Sequence, residues 1–166
     1  MIESFACSIC GEEHQGLLSD WAYKLPDEVW SIREAGGSEV ARFNDDLCQF
    51  EGRNFIRCVL NVPLDGGNGH FGWGVWAEVD WPTFQRYIDL YDEDSTFEPA
   101  RAGKLANALR PYPRTLGASV TIQFGNPMQR PALTLAASDE GLLAREQRRG
   151  ISRKRHHEIV NILQDR

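Results

Sequence analysis

The sequence predicts a single α+β domain over residues 1–166, in which an antiparallel sheet of four to five strands carries helices on one face. The 166 residues, 42% of them hydrophobic, match the size of one domain and can bury a core. Apolar and polar residues alternate through the middle of the chain with the two-residue period of β-strands. Residues 142–164 have helical spacing instead, and residues 1–20 form a loop module rich in Cys, Gly, Glu and His that is attached to the α+β body.

The strand predictions depend on this alternation and on the turn residues between the alternating runs. Residues 54–62 place Ile56 on one face and Arg57 on the other, which is the pattern of a β-strand. A glycine-rich turn at 65–69 connects this run to a second strand at 70–79, so the two form a hairpin. Further strands are predicted over residues 47–50, 116–124 and 131–137.

The helix predictions depend on capping residues, helix breakers and apolar stripes. Asp80 is a suitable N-cap, and the apolar stripe from Trp81 to Tyr91 predicts an amphipathic helix that ends near Asp92. Gly150 separates two C-terminal helices, because glycine is unfavourable inside a helix. The other predicted helices cover residues 26–33, 100–109, 142–149 and 152–164.

The charge excludes several classes of partner. The net charge is −6, from 18 basic and 24 acidic side chains. An acidic chain is a poor nucleic-acid binder, because neutralisation of phosphates drives that affinity. No run approaches the ~18 apolar residues of a membrane span, and residues 1–4 show no secretory signal. We therefore expect a cytoplasmic protein that does not bind membranes and is a poor partner for nucleic acid; a nucleic-acid contact through the basic residues at 148–155 is the second binding hypothesis.

The basic side chains concentrate at the start of the last predicted helix. Arg153, Lys154 and Arg155 would occupy its first turn, where the helix dipole disfavours cations by ~0.3–1 kcal/mol each. A salt bridge to the acidic stretch at 89–98 can compensate for this arrangement, and so can an anionic partner. In the second case Arg153 and Arg155 are candidate binding residues.

The most specific motif is Phe5-x-Cys7-x-x-Cys10-Gly11-x-x-His14. A Cys-x-x-Cys turn followed by glycine has the knuckle geometry that holds two thiolates on one tetrahedral ion. Cys7, Cys10, His14 and Cys48 form a four-ligand set for zinc, in which Cys48 is a firmer ligand than His14. A redox dithiol and ordinary reduced cysteines are the alternatives.

Two strands carry residues that admit both a binding and a packing interpretation. Trp73 and Trp76 lie on opposite faces of a glycine-rich strand and could wall a groove for a peptide or a small molecule. Packing of the indoles across glycines in the core is the favoured interpretation. Cys58 shares an apolar strand face with Ile56 and is interpreted as a core residue.

The chain also contains a series of short segments spread over nearly its whole length. They are Asp46-x-Cys48, Phe55-Ile56-Arg57, Phe71-x-Trp73-Gly74-Val75-Trp76, Tyr112-Pro113-x-Thr115, Arg130-Pro131 and Glu146-Gln147-x-x-Gly150-Ile151-Ser152-x-x-Arg155-x-x-Glu158-Ile159. Together with the cysteine motif they resemble a bacterial family of uncharacterised proteins, domain-of-unknown-function family 2199. The chain departs from that pattern at Lys104 and at 139–143. The resemblance implies a bacterial cytoplasmic protein, supports Cys7, Cys10 and Cys48 as one ligand set, and implies no activity. Arg57 is a further candidate binding residue.

These features predict a non-catalytic, zinc-stabilised binding domain that engages a protein partner. An immunity protein or antitoxin is one form of this prediction, since a small acidic domain can mask a basic toxin surface. An exposed acidic stretch at 89–98 without an intramolecular arginine partner would favour it. The alternative is a zinc-dependent, hydrolase-like enzyme with an open metal site formed by Cys7, Cys10 and Cys48. In that enzyme Glu12, Glu13 or His14 would act as the base.

Overall fold

The computed structural model describes residues 5–6, 13–14, 18–36, 41–67 and 69–165. The strands are β1 Phe5–Ala6, β2 Glu13–His14, β3 Asp20–Ala22, β4 Ala41–Phe43, β5 Leu47–Phe50, β6 Arg53–Pro63, β7 His70–Val79, β8 Arg101–Leu105, β9 Ser119–Gln123 and β10 Ala132–Leu135. The helices are α1 Asp27–Glu34, α2 Trp81–Asp89, α3 Leu142–Arg149 and α4 Arg153–Gln164. No helix in these ranges is long and apolar enough to cross a bilayer.

Five of these strands close into a barrel. β6 to β10 pair with their neighbours in chain order, each antiparallel to the next. β10 then returns to β6 and pairs with it in parallel, with Ala132 opposite Val59. The expected open antiparallel sheet with helices on one face is therefore wrong. β3 adds to β7, while β5 and then β4 extend from β6, so that eight strands form one sheet.

The third strand of the barrel occupies sequence for which a helix was predicted. Residues 101–105 of the predicted helix 100–109 form β8, which pairs with both β7 and β9. A Cβ atom at Gly103 would stand 2.8 Å from Ile122 Cδ1 and 2.9 Å from the Glu78 carbonyl oxygen. The close approach of neighbouring strands thus requires glycine here, and tertiary pairing overrides the weak local preference for helix.

The other predicted strands and helices are present, whereas the short strands β1 to β4 were not predicted. The hairpin of β6 and β7 is confirmed, with Gly66 at a φ of 76° in its turn. The Asp80 carboxylate accepts a hydrogen bond from the Thr83 N–H at 2.9 Å, so the predicted N-cap of α2 is confirmed. Ser152 caps α4 in the same way, through the N–H of Arg155 at 3.1 Å.

The barrel encloses the larger of two cores. Side chains from all five strands point inward, and residues of α2, α3 and α4 pack against them. The buried members include Ile56, Leu60, Phe71, Trp73, Val75, Leu105, Ile122, Leu133, Phe84, Leu143, Ile159 and Leu163. Burial of this apolar surface is the main term that stabilises the fold.

A second core lies outside the barrel, between α1 and the β6–β7 hairpin. Its buried members are Leu25, Val29, Cys48, Phe50, Phe55, Trp76 and Ala106. The fully buried Asn107 joins α1 to β7: its Oδ1 accepts from the Trp76 N–H at 2.8 Å. Its Nδ2 donates to the carbonyl oxygen of Leu25 at 3.0 Å and to Asp27 Oδ1 at 2.9 Å. These bonds satisfy a polar side chain that would otherwise be costly to bury.

Helix α3 completes the seam where β10 and β6 meet. Among the described residues, Ala132 of β10 and Val59 of β6 are the one residue pair that joins these two strands. Beyond that point the Gln147 side chain accepts from the Leu135 N–H at 2.9 Å and donates to the Leu133 carbonyl oxygen at 3.0 Å. The side chain of Gln147 thereby replaces a strand partner for β10.

Replacing Gln147 by alanine is expected to lower the free energy of unfolding by about 1–3 kcal/mol, because two backbone groups of β10 lose their partners. Urea denaturation followed by tryptophan fluorescence measures this change. Gln85→Ala is the matched control, since Gln85 is hydrogen-bonded to Asp89 on the exposed surface of α2. Its expected effect is within about 0.5 kcal/mol. Equal stability of the two variants would contradict the role of Gln147 in the seam.

Candidate functional site

The predicted zinc ligands fall mostly outside the described residues. Cys7 and Cys10 lie there, and of His14 only the backbone is described, in β2 opposite Phe5. Cys48 is the one ligand of the set whose side chain is described. No group of three or more potential metal-ligating side chains occurs among the described residues.

Cys48 lies in the second core. Its side chain is fully buried, on the same face of β5 as Phe50 and across from Phe55. Burial raises the pKa of its thiol to about 11, so this environment favours the protonated form over the thiolate that a metal requires. Cys58 is fully buried inside the barrel, which confirms its interpretation as a core residue.

The two candidate tryptophans are both fully buried. Trp73 points into the barrel and packs edge-on against Phe71 and Tyr112, with ring centroids 5.0 and 6.1 Å apart. Trp76 points into the second core, where its indole N–H donates to the Tyr23 carbonyl oxygen at 3.0 Å. Neither indole lines an open groove, and the packing interpretation is confirmed.

Arg155 obtains its counter-charges from its own neighbourhood. Its Nε donates to the Glu146 carboxylate of α3 at 2.8 Å, and its Nη1 approaches Glu158 at 3.5 Å. The guanidinium also lies 5.4 Å from the centroid of the Tyr112 ring, and the Tyr112 hydroxyl donates to Glu146 at 2.6 Å. For Arg155, the predicted salt bridge to the acidic stretch at 89–98 is therefore wrong. Arg153 is exposed in the first turn of α4.

A second polar cluster forms where β6 changes its strand partner. The Arg57 N–H donates to the Asp46 carbonyl oxygen just before β5, and the Val59 N–H donates to the Pro131 carbonyl oxygen just before β10, both at 2.9 Å. The segments that lead into β5 and β10 thus meet at adjacent hydrogen-bonding positions of one strand edge. We call the four side chains gathered here the junction cluster: Asp46, Arg57, Tyr91 and Arg130.

The charges of the junction cluster are unequally compensated. The Asp46 carboxylate accepts from the Tyr91 hydroxyl at 2.5 Å and faces Arg130 Nε at 3.3 Å. Arg57 is half-buried, and its Nη1 reaches the Asp45 carbonyl oxygen at 3.4 Å. Burial, and then the nearby charge of Arg130, lower the pKa of the Arg57 guanidinium. Arg57 and Arg130 are therefore close enough for their charges to interact, while the Asp46 carboxylate is engaged by Arg130 and Tyr91 and the charge of Asp45 also acts on Arg57.

The chain matches the family model described as an uncharacterised protein conserved in bacteria, domain-of-unknown-function family 2199, over residues 6–151. The chain belongs to this family. No curated protein and no solved structure matches the chain significantly. Membership confirms the resemblance that the motifs indicate, and the function has to be argued from the residues.

The fold collects the family-matching segments at two places. The junction cluster receives Asp46, Arg57 and Arg130; the contact between α3 and α4 receives Tyr112, Glu146 and Arg155. Sequence reasoning selected Arg57 and Arg155 but missed Arg130 and Tyr91 as site residues. The Arg130-Pro131 segment was a usable indication, whereas Tyr91 appears in the sequence only as part of the apolar stripe of α2.

Cys48 and Cys58 are expected to resist alkylation by iodoacetamide in the folded protein at about pH 8, because their thiols are buried and protonated. Peptide mass spectrometry after timed labelling measures the modification of each cysteine. The same reaction in urea is the control, and there both residues should be modified. Modification of native Cys48 at the rate seen in urea would contradict its placement in the second core.

Proposed function

We propose that the protein is a non-catalytic binding domain that engages a protein partner with a basic surface, in the manner of an immunity protein or antitoxin. The observation that carries this proposal is a surface on which exposed apolar side chains are mixed with carboxylates that have no cationic partner. We call it the α2 surface: Trp81, Ile88, Asp89, Asp92, Glu93, Asp94 and Phe97.

The apolar part of the α2 surface is unusually exposed. Phe97 is 98% exposed, Trp81 53% and Ile88 39%. Trp81 and Ile88 are seven residues apart on α2 and so share its outer face. The ion pair between Arg86 and Glu98, at 2.7 Å, fixes the segment that carries Phe97 against the same helix. Large exposed aromatic side chains are typical anchors of protein–protein interfaces.

The acidic part of the α2 surface supplies the charge. Glu98 is paired with Arg86 and with Arg101, so the expected acidic stretch without an arginine partner is wrong for this residue. The other four carboxylates, those of Asp89, Asp92, Glu93 and Asp94, make no ion pair within 4 Å to any described Lys, Arg or His. Asp89 and Asp94 accept hydrogen bonds from neutral side chains, Gln85 and Thr96.

This combination suits a basic partner. Four carboxylates without a close ion pair attract a positive surface and speed its encounter, while the exposed aromatic groups provide area that can be desolvated in the complex. These carboxylates also disfavour the binding of nucleic acid to the α2 surface. The proposed setting is the bacterial cytoplasm, which the free thiols of Cys48 and Cys58 support.

The proposal includes zinc binding because the sequence contains the Cys7-x-x-Cys10-Gly11 motif. Cys7 and Cys10 are the firmer half of the ligand set, because Cys48 is surrounded by apolar side chains. Metal bound by a knuckle of this kind would add its binding free energy to the stability of the fold.

Neutralising the acidic residues of the α2 surface, with Asp89→Asn, Asp92→Asn, Glu93→Gln and Asp94→Asn combined, is expected to abolish partner binding. Immobilised full-length protein would be used to isolate binding proteins from a bacterial lysate. The captured protein would then be purified and titrated calorimetrically. The matched control neutralises Glu51, Asp139 and Glu140, which lie elsewhere in the chain. Loss of binding only in the first variant, together with weakening by salt, supports the proposal. Equal binding by both variants contradicts it.

The purified protein is expected to contain about one zinc ion per chain, and Cys10→Ser is expected to lose it, because a structural site needs its thiolate ligands. Mass spectrometry for metals gives the stoichiometry, and thermal unfolding reports the loss of stability. Cys58→Ala is the matched control and should retain zinc; Cys48→Ala tests the third ligand. A wild-type protein that is folded and free of metal would contradict the zinc proposal and leave the α2 surface untouched.

A further inference from the structure

We propose that the junction cluster is a binding site for a phosphate monoester of a small molecule, held between the guanidinium groups of Arg57 and Arg130. This site adjoins the α2 surface, since Tyr91 directly precedes Asp92, but the inference does not depend on the partner proposed for that surface. The argument combines backbone geometry, charge and unsatisfied hydrogen-bonding groups.

The position of the site follows from the point on β6 where its strand partner changes from β5 to β10. The N–H groups of Arg57 and Val59 are successive donors on one strand edge, and they reach Asp46 and Pro131 from two different segments. The side chain of Arg57 therefore stands where the β5 and β10 segments meet, and Arg130 immediately precedes the second contact. The backbone thus fixes the place of both arginines, and the site needs no long flexible loop.

Arg57 lacks an anionic partner among the described residues. The charges of Asp45 and Asp46 both act on Arg57, and Asp46 is already engaged by Arg130 and by the Tyr91 hydroxyl. No carboxylate lies within 4 Å of the Arg57 guanidinium in the described chain. Its Nη1 has the Asp45 carbonyl oxygen at 3.4 Å, and its Nε is buried with no hydrogen-bond partner. A half-buried guanidinium with five donors in this state is incompletely satisfied.

The chemistry of the cluster selects the ligand. Arginine binds planar carboxylates and phosphates through paired N–H donors, and two arginines together favour a doubly charged anion. A phosphate monoester carries about −1.5 to −2 charge at pH 7 and three acceptor oxygens. A carboxylate carries a single charge and two acceptor oxygens, so it makes fewer charge-assisted hydrogen bonds to a pair of arginines. The side chain of Arg130 is 42% exposed, so an anion can approach from solvent.

The test uses the full-length protein and two probes, phenyl phosphate and inorganic phosphate, titrated calorimetrically at constant ionic strength, with acetate as the carboxylate comparison. The wild-type protein should bind both phosphates saturably and acetate much more weakly. Arg57→Gln and Arg130→Gln should each weaken phosphate binding by about tenfold, because each removes charge-assisted hydrogen bonds. Arg145→Gln, an exposed arginine on α3, is the matched control and should bind like the wild type.

Circular dichroism establishes that each variant is folded, and Arg57→Lys, which keeps the charge but loses the planar fork, should show intermediate affinity. Absence of saturable phosphate binding by the wild type would overturn the proposal. Equal affinity for acetate and phosphate would overturn the assignment of a phosphate ligand. An Arg145→Gln variant as weak as Arg57→Gln would show non-specific attraction to arginine and would overturn the site.

Discussion

Strand β6 needs hydrogen-bonding partners along the edge that faces away from β7, because unpaired backbone groups in a buried strand are costly. Three segments share this task. β5 covers residues 53–56, β10 pairs at Val59, and Ile151 pairs in parallel with Leu64 beyond the end of the strand. The closed barrel and the place of α3 both follow from this division of one edge. An open sheet would leave that edge exposed.

The same division explains where the polar clusters lie. The exchange from β5 to β10 brings Asp46 and Arg130 together beside Arg57, while the contact of Ile151 fixes α3 and α4 against the barrel. Glu146 and Arg155 then meet beside Tyr112. The α2 surface differs from both clusters, because its carboxylates face solvent. The junction cluster and the contact between Glu146 and Arg155 thus have internal charge partners, whereas four carboxylates of the α2 surface make no ion pair within 4 Å to a described cation.

Local pattern was sufficient for elements whose stability is local. Alternation predicts the β6–β7 hairpin, the capping residue Asp80 predicts the start of α2, and Gly150 predicts the break between the two C-terminal helices. Closure was not predictable in this way, because it depends on the pairing of Ala132 with Val59, far apart in the chain. The residues of β8 are compatible with a helix, and they form a strand because they pair with β7 and β9. In the site, Arg57 could be selected, but Arg130 and Tyr91 join it only through the tertiary fold. The burial of Cys48 likewise depends on α1 and not on cysteine spacing.

Trp73 and Trp76 show how closely the two cores depend on each other. They lie on opposite faces of β7, and each is fully buried in a different core. Displacement of β7 would expose both indoles at once. The side chain of Asn107, in the segment after β8, also accepts a hydrogen bond from the Trp76 backbone N–H. Because both cores share this strand, neither can unfold without exposing part of the other. We therefore infer that the barrel and the α1 layer fold as one cooperative unit, with β7 as the common element that transmits unfolding from one to the other.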